Sequence, residues 1–133
     1  MDIQGNAGKK ILIIEDDQFL REFYQELLQT EGFIVDTVAD GDTASYRIHE
    51  GGYALIVLDI MLPKKDGLQV LRDNRANPPK SPNGPIVALT NLGQDAVIKQ
   101  SFELGCAGYM IKSALNPDQV LTEINNYLQS AKK

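Results

Sequence analysis

Short apolar runs recur along this chain, and three of them stop abruptly on charged residues. Ile11-Leu12-Ile13-Ile14 runs into Glu15-Asp16-Asp17, Leu55-Ile56-Val57-Leu58 into Asp59, and Tyr109-Met110-Ile111 into Lys112. Runs this short and β-rich read as strands buried on both faces, and a charge closing such a run is not ordinary core. If the strands lie parallel, their carboxyl ends bring the charges into one crevice, where open α/β sheets hold ligands. Carboxylates crowded together repel one another unless a cation joins them, so the pattern points to a divalent metal.

Between the runs the apolar residues switch to helical spacing. After strand Lys10–Ile14, Asp17 offers an N-cap, and Phe19, Leu20, Phe23, Leu27 and Leu28 recur until Gly32. Phe33–Val38 reads as the second strand. A short helix follows, capped at Asp40 or Asp42, with Ala44 and Ile48 inward and Gly51-Gly52 at its end. Tyr53–Leu58 is strand three, and a helix from about Asp66 carries Leu68, Val70 and Leu71. The stretch 77–85 is a loop by its proline and asparagine content. Ile86–Leu89 is strand four, and Ala96, Val97 and Phe102 mark the fourth helix. Ala107–Ile111 is strand five. Asn116-Pro117 opens a last helix whose inner stripe is Val120, Leu121, Ile124 and Leu128. Strands alternating with helices predict a doubly wound parallel α/β sheet, and right-handed crossovers favour the order 2-1-3-4-5 of a flavodoxin-like (βα)5 fold.

The 133 residues, 43% of them hydrophobic, suit one domain. Residues 1–8 are expected to be a loose tail and 9–131 the domain. Thirteen basic residues against eighteen acidic ones give a formal charge of -5, which argues against nucleic-acid or anionic-membrane binding. No apolar run has the length of a membrane span, residues 1–8 lack the basic start and apolar stretch expected of a signal peptide, and Cys106 is the only cysteine. A cytoplasmic protein is the simplest expectation.

With strands one and three adjacent, Glu15, Asp16 and Asp59 would meet. Magnesium takes oxygen ligands and keeps several waters, so Asp16 and Asp59 are the direct ligands expected, with Glu15 acting through water and Met61 lending its backbone carbonyl. Thr90 closes strand four and Lys112 strand five. A hydroxyl and an ammonium beside a metal-bound carboxylate suit a phosphoryl group, with Asp59 as the nucleophile. His49 is expected to be exposed and away from the crevice, and Cys106 to be buried filler.

The motifs IIEDD, LDIMLPKKDG, ALTN and GYMIKS, in this order, resemble those of the receiver domain of two-component response regulators. The resemblance covers about residues 9–130. It implies that Glu15 and Asp16 are the acidic pair holding Mg2+, that Asp59 is the phosphoacceptor and that Lys112 contacts the phosphoryl group. It further implies that Thr90 is a switch hydroxyl and Tyr109 an aromatic that changes rotamer. A histidine kinase or phosphotransfer protein would donate the phosphoryl group. A downstream effector protein would read the face formed by helix four, strand five and helix five, a face through which a homodimer would also form. Such a domain is not an enzyme beyond its own phosphotransfer and autodephosphorylation.

Three positions depart from the family pattern. Asn91 stands where a small residue is usual, Ser113 stands where proline usually gives a cis bond, and the loop to Asn116 is one residue longer. A non-proline cis bond costs about 3 kcal/mol, so a trans bond is expected at Ser113. Met61 and Leu92, flanking the site, are expected to govern water access. Two other readings stand beside this one: an interaction module of the same fold that works without phosphorylation, and an aspartate-nucleophile phosphohydrolase. The second lacks the acid/base aspartate expected two residues after the nucleophile, where this chain has Met61.

Overall fold

The computed structural model describes residues 8–91, 93–112 and 116–130. Most of the predicted tail, Leu92, Ser113 with the lengthened loop, and residue 131 lie outside them. Five strands and five helices alternate: β1 (Lys10–Ile14), α1 (Gln18–Thr30), β2 (Ile34–Val38), α2 (Gly41–Glu50), β3 (Leu55–Asp59), α3 (Gly67–Ala76), β4 (Ile86–Thr90), α4 (Asp95–Glu103), β5 (Gly108–Ile111) and α5 (Pro117–Ser130). The sheet is parallel throughout, in the order β2-β1-β3-β4-β5. This is the flavodoxin-like arrangement predicted above. None of the described helices is long and apolar enough to cross a membrane.

Alternation along the strands divides the core into two layers. Leu12, Ile14, Ile56, Leu58 and Ala88 face Ile48, Val70 and Leu71 on the α2/α3 side. Ile11, Ile13, Val57, Val87 and Leu89 face Tyr24, Leu28, Val120 and Ile124 on the α1/α5 side. Side chains successive in a strand point to opposite faces, so β1, β3 and β4 must be apolar at nearly every position.

Limits of four strands and one helix face differ from the sequence reading, with β2 and β5 each starting one residue later, at Ile34 and Gly108. β3 begins at Leu55, because the Tyr53 amide donates instead to Asn83 Oδ1 at 3.1 Å, and it runs on to include Asp59. β4 likewise includes Thr90. On α1, Phe19 is 78% exposed and Tyr24 is buried. The inward stripe is Leu20, Phe23, Tyr24, Leu27 and Leu28, a spacing of three and four that leaves Phe19 roughly 100° off the stripe.

The segment 77–85 is a bracket rather than a slack connection. The Lys80 amide donates to His49 O at 2.7 Å and Asn83 Nδ2 to Ile48 O at 3.0 Å, satisfying carbonyls that the end of α2 leaves open. At the other end of α2, Gly41 lies so close to the β3–α3 loop that a Cβ would overlap the Lys65 carbonyl oxygen. Lys65 pairs with Asp73 on α3 and lies 3.6 Å from Asp42 on α2.

Candidate functional site

The three consecutive acids after β1 have separate duties. The Glu15 amide continues the ladder to Val38 O, so its side chain turns into the protein and is fully buried. Asp16 is exposed. Asp17 caps α1, its Oδ1 accepting from the Leu20 amide at 3.0 Å. Arg21 holds the turn together by donating to the carbonyls of Glu15 at 2.9 Å and Asp16 at 3.2 Å. The sequence reading passed over Arg21. Its signal was a cation in the first turn of a helix, where the dipole disfavours positive charge unless something else holds it.

Asp59 is the last residue of β3 and is fully buried, and the next amide, Ile60, is held by Leu89 O at 3.1 Å. Its two oxygens are already engaged. Oδ1 accepts from the Met61 amide at 2.9 Å, and Oδ2 accepts from Lys112 Nζ at 2.8 Å. The same ammonium sits 2.9 Å from Glu15 Oε1. Lys112 is placed there by its own amide, which donates to Thr90 O at 2.8 Å and prolongs the β4–β5 pairing by a residue.

Burial shifts these groups. It pushes the Glu15 carboxyl up to about 7, with the Asp59 charge adding to the effect, while the Asp17 amide and Lys112 oppose it. Burial alone would lower the Lys112 ammonium, but Asp59 and Glu15 outweigh it and hold the group above its ordinary value. Tyr24, under the site from α1, is pushed up to about 12 by burial, with Glu15 contributing.

Carboxylate oxygens of Glu15, Asp16 and Asp59 lie within 4.8 Å of one another. All three are hard oxygen donors, one facing solvent and two buried, a set suited to a small divalent cation that keeps part of its water shell. The residues therefore fit magnesium. The Met61 amide points at Asp59, and its side chain is exposed.

Thr90 is buried at the end of β4, and its hydroxyl donates to the Asn91 carbonyl at 3.3 Å. Tyr109 is 43% exposed, its ring edge-on to Phe102 with centroids 6.2 Å apart. Asn91 itself is exposed. His49 lies at the far end of α2, half-buried rather than exposed, because its ring is drawn to Asn77 O. Cys106 is buried, as expected, and burial raises its thiol to about 11.

The family model for the response regulator receiver domain matches residues 11–125. The chain belongs to that family. It is 33% identical to the transcriptional regulatory protein ResD of Bacillus subtilis over 122 residues, 92% of this chain and 49% of ResD. It is 32% identical to the phosphate regulon transcriptional regulatory protein PhoB of Rhizobium meliloti, over 92% of this chain and 53% of that protein. The chain thus spans about half the length of the curated relatives it matches. Among solved structures, it is similar to the BeF3-activated N-terminal receiver domain of Klebsiella pneumoniae RstA, with TM-score 0.78 and 33% identity. That match covers 91% of this chain and 99% of the other. The receiver domain of the Pseudomonas aeruginosa sensor histidine kinase PA1611, with a magnesium ion in its active-site cleft, matches with TM-score 0.78 and 26% identity, over 92% and 99% of the two chains.

Proposed function

We propose that this receiver domain is a phosphorylation switch in which Asp59 accepts a phosphoryl group from the phosphohistidine of a histidine kinase or phosphotransfer protein. The observation that carries the reading is the convergence of Lys112 on Asp59 and Glu15, with Asp16 alongside. An Asp59 oxygen attacks phosphorus, and the new O–P bond forms as the P–N bond breaks and the imidazole leaves with the electron pair. No base is needed, since a carboxylate nucleophile carries no proton to remove. Lys112 stays beside the modified carboxylate and balances charge on the phosphoryl oxygens. Glu15, Asp16, Asp59 and the Met61 carbonyl would hold Mg2+, which when bound neutralises phosphoryl oxygens.

Thr90 is the hydroxyl that would leave the Asn91 carbonyl for the phosphoryl group, and Tyr109 the ring that would then turn inward, biasing an equilibrium already present. The outcome is read by an effector protein at the α4–β5–α5 face. Slow autodephosphorylation resets the switch, and a cytoplasmic setting suits the relay. The proposed extent of the domain is 9–131.

Incubation with Mg2+ and acetyl phosphate followed by intact-mass measurement tests the reading. One added phosphoryl group is expected, and none in Asp59→Asn. An unmodified wild-type chain, or the same adduct in Asp59→Asn, would overturn it.

A further inference from the structure

The turn that carries the three acids is closed by a single residue. The carbonyls of Glu15, Asp16 and Asp17 all accept from Arg21, the first two from its Nη1 at 2.9 and 3.2 Å and the third from its amide at 2.9 Å. Arg21 so ties the end of β1 to the start of α1.

Where those carbonyls point decides where the acids face. A trans peptide is planar, with its carbonyl and its N–H on opposite sides. Holding the Asp16 carbonyl toward Arg21 turns the Asp17 N–H the other way, and there it donates to Glu15 Oε2 at 3.0 Å. The other oxygen, Glu15 Oε1, then lies 2.9 Å from Lys112 Nζ. The Glu15 carbonyl is held by the same nitrogen, so both peptide planes flanking Asp16 are fixed. Glu15 is buried and Asp16 exposed, yet their carboxylate oxygens and that of Asp59 come within 4.8 Å of one another.

Charge alone argues against a cation here. The start of a helix is the positive end of its dipole, and a divalent metal among the acids would repel the guanidinium as well. What Arg21 brings to a metal is geometry. We propose that Arg21 is a positioning residue for the acidic crevice: it fixes the two peptide planes flanking Asp16, and so raises affinity for a divalent cation that its own charge would weaken. The inference rests on the proposed reading that Glu15, Asp16 and Asp59 hold Mg2+.

Calorimetric titration of Mg2+ into the full chain at fixed ionic strength tests it, because position and charge predict opposite signs. Arg21→Met removes the guanidinium from a half-buried helical position and keeps a side chain of good helix propensity. Its Mg2+ affinity is expected to fall about tenfold, the loss typical when a group supporting metal ligands is removed. Loss of a positive charge by itself would tighten binding instead.

A second readout needs no metal. In the chelator-treated, 15N-labelled chain, the Asp17 amide is expected to move upfield and exchange faster in Arg21→Met, as its bond to Glu15 loosens. Arg21→Lys keeps the charge but shortens the reach, so both readouts should move the same way by a smaller factor. That variant carries the test should Arg21→Met not fold. Affinity in Arg21→Met equal to or tighter than wild type would overturn the assignment. So would weaker binding with an unmoved Asp17 amide, or an Arg21→Lys chain matching wild type in both readouts. A wild-type chain with no saturable response to Mg2+ would overturn the metal reading and this inference together. Unaltered variants beside a wild type that binds would overturn this inference alone.

Discussion

Lys112 Nζ lies 2.8 Å from Asp59 Oδ2, joining the carboxyl ends of β3 and β5 across 53 residues of sequence. With Glu15 on its other side, the ammonium is the counter-charge for two carboxylates that are wholly buried. Breaking a buried pair by removing one partner costs far more than the pair contributes against an apolar replacement. Lys112→Met is expected to lose about 3 kcal/mol of stability at neutral pH, measured by urea denaturation. Magnesium should recover part of that loss by supplying charge to the same carboxylates.

Glu15 sets a pH dependence. Its folded value of about 7 lies above its ordinary 4.5, so the folded chain holds the proton more tightly. The stability it contributes is full below the ordinary value and is lost as pH rises through about 7. Metal binding has the opposite sign, because a ligand carboxylate must give up its proton first. Mg2+ affinity, followed by titration calorimetry, is expected to increase between about pH 6 and pH 8. Glu15→Gln should flatten that increase.

Gly41 packs on the loop that presents Met61 to Asp59. In Gly41→Ala the new methyl group would collide with the Lys65 backbone, which has no side-chain freedom with which to yield. A destabilisation of roughly 1–3 kcal/mol is expected in denaturant melts. The shifted loop should also slow acetyl phosphate labelling of Asp59.

Lys64, in the same loop, is the one non-glycine residue among those described with positive φ, at 64°. An L side chain in the left-handed region costs roughly 1–2 kcal/mol, part of which glycine gives back in unfolded-chain entropy. Lys64→Gly is expected to be neutral or to stabilise by up to about 1 kcal/mol in thermal melts.

Much of this was legible from periodicity. β1 has the predicted limits because an apolar run bounded by charge has only one way to sit in a buried parallel sheet. The α3 and α5 starts were equally plain, since Asp66 and Asn116 each accept from the amide three residues on. Tyr24 and Phe19 were not told apart, because an amphipathic tyrosine beside an apolar phenylalanine leaves the phase of the stripe ambiguous. The convergence of Asp16 and Asp59 followed from strand order. That Glu15 lies within ion-pair distance of Lys112 did not, since it depends on a side chain turning inward at the end of β1, which no local pattern encodes.

The proline-containing bracket beneath α2 bears on how this protein can be engineered. Because the Lys80 amide and Asn83 side chain close the end of that helix, any reporter sequence spliced into 77–85 would fray it from below. Sensors built on this scaffold should therefore leave that segment whole and carry their cargo elsewhere.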